Sequence, residues 1–159
     1  MTSFDLLITV IRDMVLSGLA ALGFAILFNA PKRMLLGCFL CGAAGHTLRT
    51  ILMNSGASVE FSTLVGALAV GFISTYLSDR YNVPASVFTV TGAIPLVPGI
   101  FAFQTIVGLL NATSSRAEQS VELLVAAGIN GVRTALILGA IAFGIAAPML
   151  LFRRSSPSV

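Results

Sequence analysis

Residues 85–110 read ASVFTVTGAIPLVPGIFAFQTIVGLL, an uncharged stretch whose centre is Ile94-Pro95-Leu96-Val97-Pro98-Gly99. About 20 apolar residues cross a bilayer, so the stretch is long enough to span one. A continuous helix would not carry that centre. Pro95 cannot donate to the carbonyl of Thr91, and Pro98 cannot donate to that of Ile94. Each proline also biases the residue before it, Ile94 and Val97, toward extended backbone. In hydrocarbon, backbone groups freed in this way cost several kcal/mol each unless protein or a water-filled cavity satisfies them. Two readings follow: a proline-kinked packing helix, or two half-helices meeting near the bilayer midplane. Two prolines three residues apart, followed by glycine, favour the break, and broken helices of this kind build substrate and ion sites in many secondary transporters.

The composition agrees with a chain made for lipid. Of its 159 residues 57% are hydrophobic and 9% charged, with a mean hydropathy of +0.99, whereas soluble domains average about 25% charged residues. We read an all-α integral membrane protein, one transmembrane domain over 1–159. The net charge of +3 comes from nine lysines and arginines scattered between apolar runs, which make no patch or stripe for nucleic acid. The first apolar run follows Asp5, Arg12 and Asp13 rather than a basic leader and ends at Pro31-Lys32-Arg33, a stop-transfer pattern rather than a cleaved signal. Cys38 and Cys41 make a C-x-x-C inside an apolar run. Without further ligands they read as small hydrophobes, not as a redox or metal pair, and the sequence implies no metal and no cofactor.

Five spans are expected, at about 14–30, 34–54, 61–77, 85–110 and 132–151. Before the first, Asp5, Thr9, Arg12 and Asp13 share one helical face with Phe4, Leu7, Ile8 and Ile11 opposite. This is either an interfacial helix, the plainer reading, or an extension of the first span facing a partner or cavity. The second span places Gly42, Gly45, His46, Arg49 and Met53 on one side. A cation at such a depth costs at least about 2.5 kcal/mol against lipid, so Arg49 should face protein or water. His46 and Arg49, three apart, can meet. Gly66, Ala67, Ala69 and Gly71 make the third span a packing helix, followed by a polar loop at Ser78-Asp79-Arg80-Tyr81-Asn82. A loop is expected again at 111–115, where Ser115 and Glu118 have capping-box spacing. A helix from 116 to 152 would reach about 55 Å at 1.5 Å per residue, longer than the ~30 Å hydrocarbon core. We therefore expect a short amphipathic helix over 116–127, a weak point at Gly128-Ile129-Asn130-Gly131, and then the last span. Lys32, Arg33, Arg80, Arg153 and Arg154 on one side, against Arg12 and Arg116, place the N-terminus outside and the C-terminus in the cytoplasm.

Several stretches resemble the threonine/serine exporter family. They are Gly23-Phe24-Ala25-Ile26-Leu27-Phe28-Asn29-Ala30-Pro31 running into Lys32-Arg33, then Cys41-Gly42-Ala43-Ala44-Gly45-His46 followed by Arg49, and Phe72-Ile73-Ser74. Most specific is Val83-Pro84-Ala85 leading to Gly92-Ala93-Ile94-Pro95-Leu96-Val97-Pro98-Gly99. The resemblance covers nearly the whole chain and is to the smaller membrane subunit of the split, two-gene form, equivalent to the carboxyl half of the fused form. It implies a secondary exporter of small carboxylates, either amino acids such as threonine and serine or dicarboxylates, in a bacterial inner membrane. It also implies a larger membrane subunit as partner.

These substrates share a carboxylate. A half-helix beginning at Pro98-Gly99 would offer such an anion unpaired N–H groups and the positive end of the helix dipole, and Gln104 and Thr105 lie one to two turns further on. Arg49 is a fixed charge for a second carboxylate. His46, which titrates near neutral pH when unperturbed, and Asp79, the acid nearest the interrupted span, are candidates for coupling to a proton gradient. Two other classes compete. A scaffold subunit would leave transport to its partner. An intramembrane enzyme finds no H-E-x-x-H, no G-x-S-x-G and no pair of embedded carboxylates.

Overall fold

The computed structural model describes residues 3–114 and 117–152, and among them there is no strand. The helices are α1 (Ser3–Leu27), α2 (Leu35–Asn54), α3 (Val59–Tyr81), α4 (Ser86–Ala93), α5 (Gly99–Ser114) and α6 (Ala117–Phe152), with 3-10 turns at Lys32–Met34 and Ile94–Leu96. Four stretches, Phe4–Leu27, Lys32–Asn54, Val59–Tyr81 and Gln119–Leu151, are long and apolar enough to cross a membrane. The pair Ser86–Leu96 and Gly99–Ser114 makes a fifth if it is one interrupted span. The helices fall into two compact units, Met1–Leu96 with Ala140–Val159, and Val97–Gly139.

In the first unit α2 lies at the centre, packed on α1, α3 and α4. Glycine makes each approach possible, as expected where lipid removes any hydrophobic drive between helices and close packing must hold them. A Cβ on Gly42 would fall 2.4 Å from that of Ala21 and 2.9 Å from the Ser17 carbonyl on α1. A Cβ on Gly66 would fall 2.5 Å from the Gly45 carbonyl, and one on Gly92 would fall 2.7 Å from Cys41 Cβ. Gly37 lies under the ring of Phe88, itself fully buried. Cys38 and Cys41 are buried free thiols in this seam, with Cys41 Sγ 3.7 Å from Ser74 Oγ. The end of α6 joins the same unit through Gly144, which meets Ala67 and Leu64 of α3, and through Pro148 against Gly71.

Helix ends follow local chemistry. Asn29 and Asn82, after α1 and α3, take left-handed backbone at φ 56° and 52°, a conformation asparagine tolerates better than most residues. The Ala30 and Val83 amides close back onto Ala25 and Ser78. Ser58 caps α3 by accepting from the Phe61 amide at 3.2 Å.

The interrupted span is observed as a break. Helix α4 stops at Ala93, the 3-10 turn covers Ile94–Leu96, and α5 starts at Gly99. Pro98 stands just before α5, and its carbonyl accepts from Ala102 at 3.1 Å. Within the second unit α5 and α6 meet where Gly108 approaches Ala127 and where Thr105 approaches Gly131.

Several expectations need correction. The stripe at Asp5, Thr9, Arg12 and Asp13 is not a separate interfacial helix but part of continuous α1, because no glycine, proline or cap interrupts it. Ser78-Asp79-Arg80-Tyr81 is the last turn of α3 rather than loop. Helix α5 likewise continues through Asn111 to Ser114. Helix α6 runs unbroken through Gly128-Ile129-Asn130-Gly131, so the amphipathic piece and the last span are one 36-residue helix. A glycine inside a helix costs only about 1 kcal/mol, less than leaving backbone groups unpaired in hydrocarbon. Ser115 of the expected capping box, Arg116, Arg153, Arg154 and the Glu118 side chain lie outside the described residues.

Candidate functional site

The polar groups of the first unit converge where α1 crosses α2. Ala21, Ser17 and Asp13 follow one another at four-residue intervals on α1, and the Ala21–Gly42 contact brings this row onto α2. Two turns before that contact, Asp13 lies over His46 and Thr50. Asp13, His46, Arg49, Thr50, Met53 and Asn54 line a cavity of about 360 Å³. Met53 and Asn54, exposed at the end of α2, form its rim. Asp13 sits about 14 Å along the Phe4–Leu27 stretch at 1.5 Å per residue, well inside a span.

The bonds within the cavity are specific. Thr50 Oγ1 donates to Asp13 Oδ2 at 2.7 Å, and His46 Nδ1 stands 3.6 Å from the same oxygen. Arg49 Nη1 donates to the carbonyl of Leu96 at 3.1 Å, at the end of the 3-10 turn in the interrupted span. His46 Nδ1 and Arg49 Nε are buried and make no hydrogen bond among the described residues. Buried polar nitrogens without partners cost about 1–3 kcal/mol each, more when charged. Chemically, the cavity combines a carboxylate, an imidazole, a guanidinium and a hydroxyl.

The structure separates the residues singled out from the sequence. His46 and Arg49 share the cavity, and Arg49 reaches the turn that contains Pro95. Asp79 does not join them. It is exposed at the far end of α3, beside Phe72, Thr75 and Tyr76 in a smaller cavity of about 220 Å³. Pro98, Gly99, Gln104 and Thr105 belong to the second unit. There Pro98 is buried and Gly99 and Gln104 are exposed. A Cβ on Gly99 would meet nothing within 4 Å, so the start of α5 is open. The Thr105 hydroxyl donates to the Phe101 carbonyl at 2.8 Å, which leaves its lone pairs to accept. The Arg133 guanidinium lies 5.3 Å from the centre of the Phe101 ring, a cation–π contact. Among the described residues no three His, Cys, Asp or Glu side chains converge as metal ligands.

Asp13 and Thr50 were missed as site residues. The signal for Asp13 was present: an acid in register with Ser17 and Ala21, with nothing between them to end a helix. Reading it as interfacial removed it from the bundle.

Several helices able to cross a membrane, with ionisable groups gathered in a cavity between α1 and α2, define a multi-pass membrane protein. The chain belongs to the threonine/serine exporter family: residues 13–151 match the model of that family, described as Threonine/Serine exporter, ThrE. It is also 34% identical over 154 residues to an uncharacterized protein of Haemophilus influenzae, a match covering 96% of this chain and 51% of that protein. The chain thus spans about half the length of that relative. No solved structure matches it.

Proposed function

We propose that this chain is the smaller membrane subunit of a secondary exporter of small carboxylates, either amino acids such as threonine and serine or dicarboxylates. It would work with a larger membrane subunit in a bacterial inner membrane. The observation that carries the reading is the Arg49 bond to Leu96, which ties the cavity's cation to the interrupted span. A carboxylate entering the cavity is an acceptor for the guanidinium N–H groups that the Leu96 carbonyl does not use, Nε among them. Ligand binding and the geometry of the break are then linked through one side chain. The open start of α5 at Gly99, with Gln104 and Thr105 beyond it, is a second anion-binding element of the kind broken helices supply. With the basic residues inside, the N-terminus lies outside and the cavity opens toward the outer face.

The test is reconstitution into proteoliposomes, with and without the larger subunit, loaded with labelled serine, threonine or succinate. Efflux of one or more of these only when both subunits are present is the expected result. Full transport by this chain alone would refute the division into two subunits. Assembly without transport of any small carboxylate would favour a scaffold role.

A further inference from the structure

We infer that Ser62 on α3 and the side-on edge of the Arg49 guanidinium together form the subsite that binds a carboxylate of the substrate. The inference deepens the proposed export function and rests on it. Three observations carry it. The first is a pair of buried polar atoms. Ser62 Oγ and Arg49 Nε are both buried, and neither makes a hydrogen bond among the described residues. Such groups are costly to leave unpaired, so a fold that keeps two calls for an explanation. Ser62 is 0% exposed, which puts its hydroxyl out of reach of lipid or of a subunit packed against the outside of the bundle. The next residue behaves differently. Thr63 is equally buried, and its hydroxyl donates to the Val59 carbonyl at 2.7 Å. The helix can therefore satisfy a hydroxyl on this turn, yet that of Ser62 stays unspent.

The second observation is register. Helices α2 and α3 form a hairpin around the turn at 55–58. Arg49 stands five residues before the end of α2 at Asn54, and Ser62 three residues after the start of α3 at Val59, so the two lie at similar depth. Ser62, Gly66 and Val70 follow one another at four-residue intervals, one row on a helix. Val70 meets Gly45, Gly66 meets the Gly45 carbonyl, and a Cβ on Gly66 would lie 3.5 Å from that of Arg49. One turn further along this row is Ser62, on the side of α3 that faces Arg49. The third observation is the edge of the guanidinium that remains. Arg49 spends Nη1 on the Leu96 carbonyl at 3.1 Å. Nε and Nη2 form the edge away from Nη1, and two parallel N–H groups of this kind match the two oxygens of a carboxylate. The oxygen that accepts from Nε keeps a further lone pair, to which the Ser62 O–H donates. The carboxylate thus receives three donors, and the remainder of the substrate lies in the cavity lined by Asp13, His46 and Thr50.

The experiment uses the assembled two-subunit complex in proteoliposomes, with efflux of labelled serine and succinate measured over a range of internal concentrations and normalised to assembled complex. Ser62→Ala should raise the half-saturating concentration about tenfold or more, the loss expected for one hydrogen bond to a charged group, with little change in maximal rate. The substrate affected more should be the same one as for Arg49→Gln, since both residues hold one carboxylate. Without substrate, the Ser62→Ala complex should unfold at or above the wild-type temperature, because alanine removes an unpaired buried hydroxyl. Added substrate should raise that temperature less than in the wild type. Ser62→Cys, with a weaker donor, should fall between the two. Thr63→Val removes a hydroxyl already bonded to Val59 and should leave half-saturation unchanged. Wild-type half-saturation in both Ser62→Ala and Ser62→Cys would overturn the subsite and leave the export function standing, as would opposite substrate preferences in Ser62→Ala and Arg49→Gln. Equal weakening by Ser62→Ala and Thr63→Val would overturn it too, marking a general loosening of α3. A Ser62→Ala complex that unfolds earlier without substrate would also overturn it, showing a hydroxyl engaged within the fold or by a buried water. Absence of efflux of either substrate by the wild-type complex would overturn the export function and the subsite with it.

Discussion

Arg49 and Leu96 are joined by a single hydrogen bond, Nη1 to carbonyl oxygen at 3.1 Å, although 47 positions separate them in the chain. The donor belongs to the polar cavity and the acceptor to the last residue of the turn where the fourth span is interrupted. A helix interrupted in hydrocarbon must find donors for its carbonyls from elsewhere in the protein, and here a guanidinium supplies one. Only Nη1 is engaged with Leu96, and Nε makes no hydrogen bond among the described residues, so the rest of the guanidinium fork is left for other acceptors. One side chain thus belongs both to the cavity and to the interruption of the span.

Removing that charge should cost transport more than assembly. A hydrogen bond from a charged donor contributes about 1.5–3 kcal/mol, so Arg49→Gln should lower export roughly ten- to a hundredfold at 1.36 kcal/mol per decade. The loss should be larger for a dicarboxylate than for a zwitterionic amino acid. Arg49→Lys keeps the charge without the planar fork and should recover only part of the rate. Export per assembled complex is the measurement, and normal export by Arg49→Gln would remove Arg49 from the site.

The two prolines test the break itself. In a Pro95→Ala/Pro98→Ala chain both positions regain an amide donor and the helical ladder can close. Alanine is favoured over proline by about 3 kcal/mol once a position is helical, so the closed ladder becomes accessible and the amount of folded protein should hold or rise. Transport should fall, because a closed ladder takes up the carbonyl of Leu96 and the open start of α5 at Gly99. Near-normal export by this double variant would mean that the prolines only shape packing.

Close approach of α1 and α2 is set by Gly42, and the cavity depends on it. Gly42→Ala puts a methyl into Ala21 and the Ser17 carbonyl, which must move apart. Overpacking of this kind costs about 1–3 kcal/mol and should lengthen the Thr50–Asp13 bond. Gly23→Ala on α1, where a Cβ would meet nothing within 4 Å, should be neutral or stabilising. Thermal unfolding in detergent should rank Gly42→Ala below wild type and Gly23→Ala at or above it. The reverse order would contradict the packing.

Topology can be read by cysteine labelling in a background without Cys38 and Cys41. Ser55→Cys and Ser114→Cys, both at exposed positions, should react with an impermeant reagent from outside. Asn82→Cys, exposed at the end of α3, should react only after the membrane is opened. Ser78 is unsuitable as the inner reporter, because it is buried and its hydroxyl donates to the Val83 carbonyl at 2.6 Å. Outside labelling at Asn82→Cys would reverse the orientation.

What residues 85–110 decided alone was that the chain is helical, made for hydrocarbon and broken at Pro95-Leu96-Val97-Pro98-Gly99. Those conclusions are local. A proline lacks its donor wherever it sits, and a run of apolar residues in lipid must satisfy its backbone by helix. Local rules also placed His46 and Arg49 on one helical face and gave Arg49 a reason to avoid lipid. They failed where a boundary depends on competing costs of similar size, as at Gly128-Ile129-Asn130-Gly131, where continuity won over two glycines. They could not supply the partners across helices. Asp13 belongs with His46 and Thr50 only because Gly42 lets Ala21 come into contact, which turns the row Asp13, Ser17, Ala21 onto α2. The bond from Arg49 to Leu96, and the distance of Asp79 from both, likewise depend on how α2 is packed against its neighbours. Spacing along one chain fixes which residues share a helical face; which face meets which is fixed by close contacts between residues far apart in sequence, and those exist only in the folded bundle.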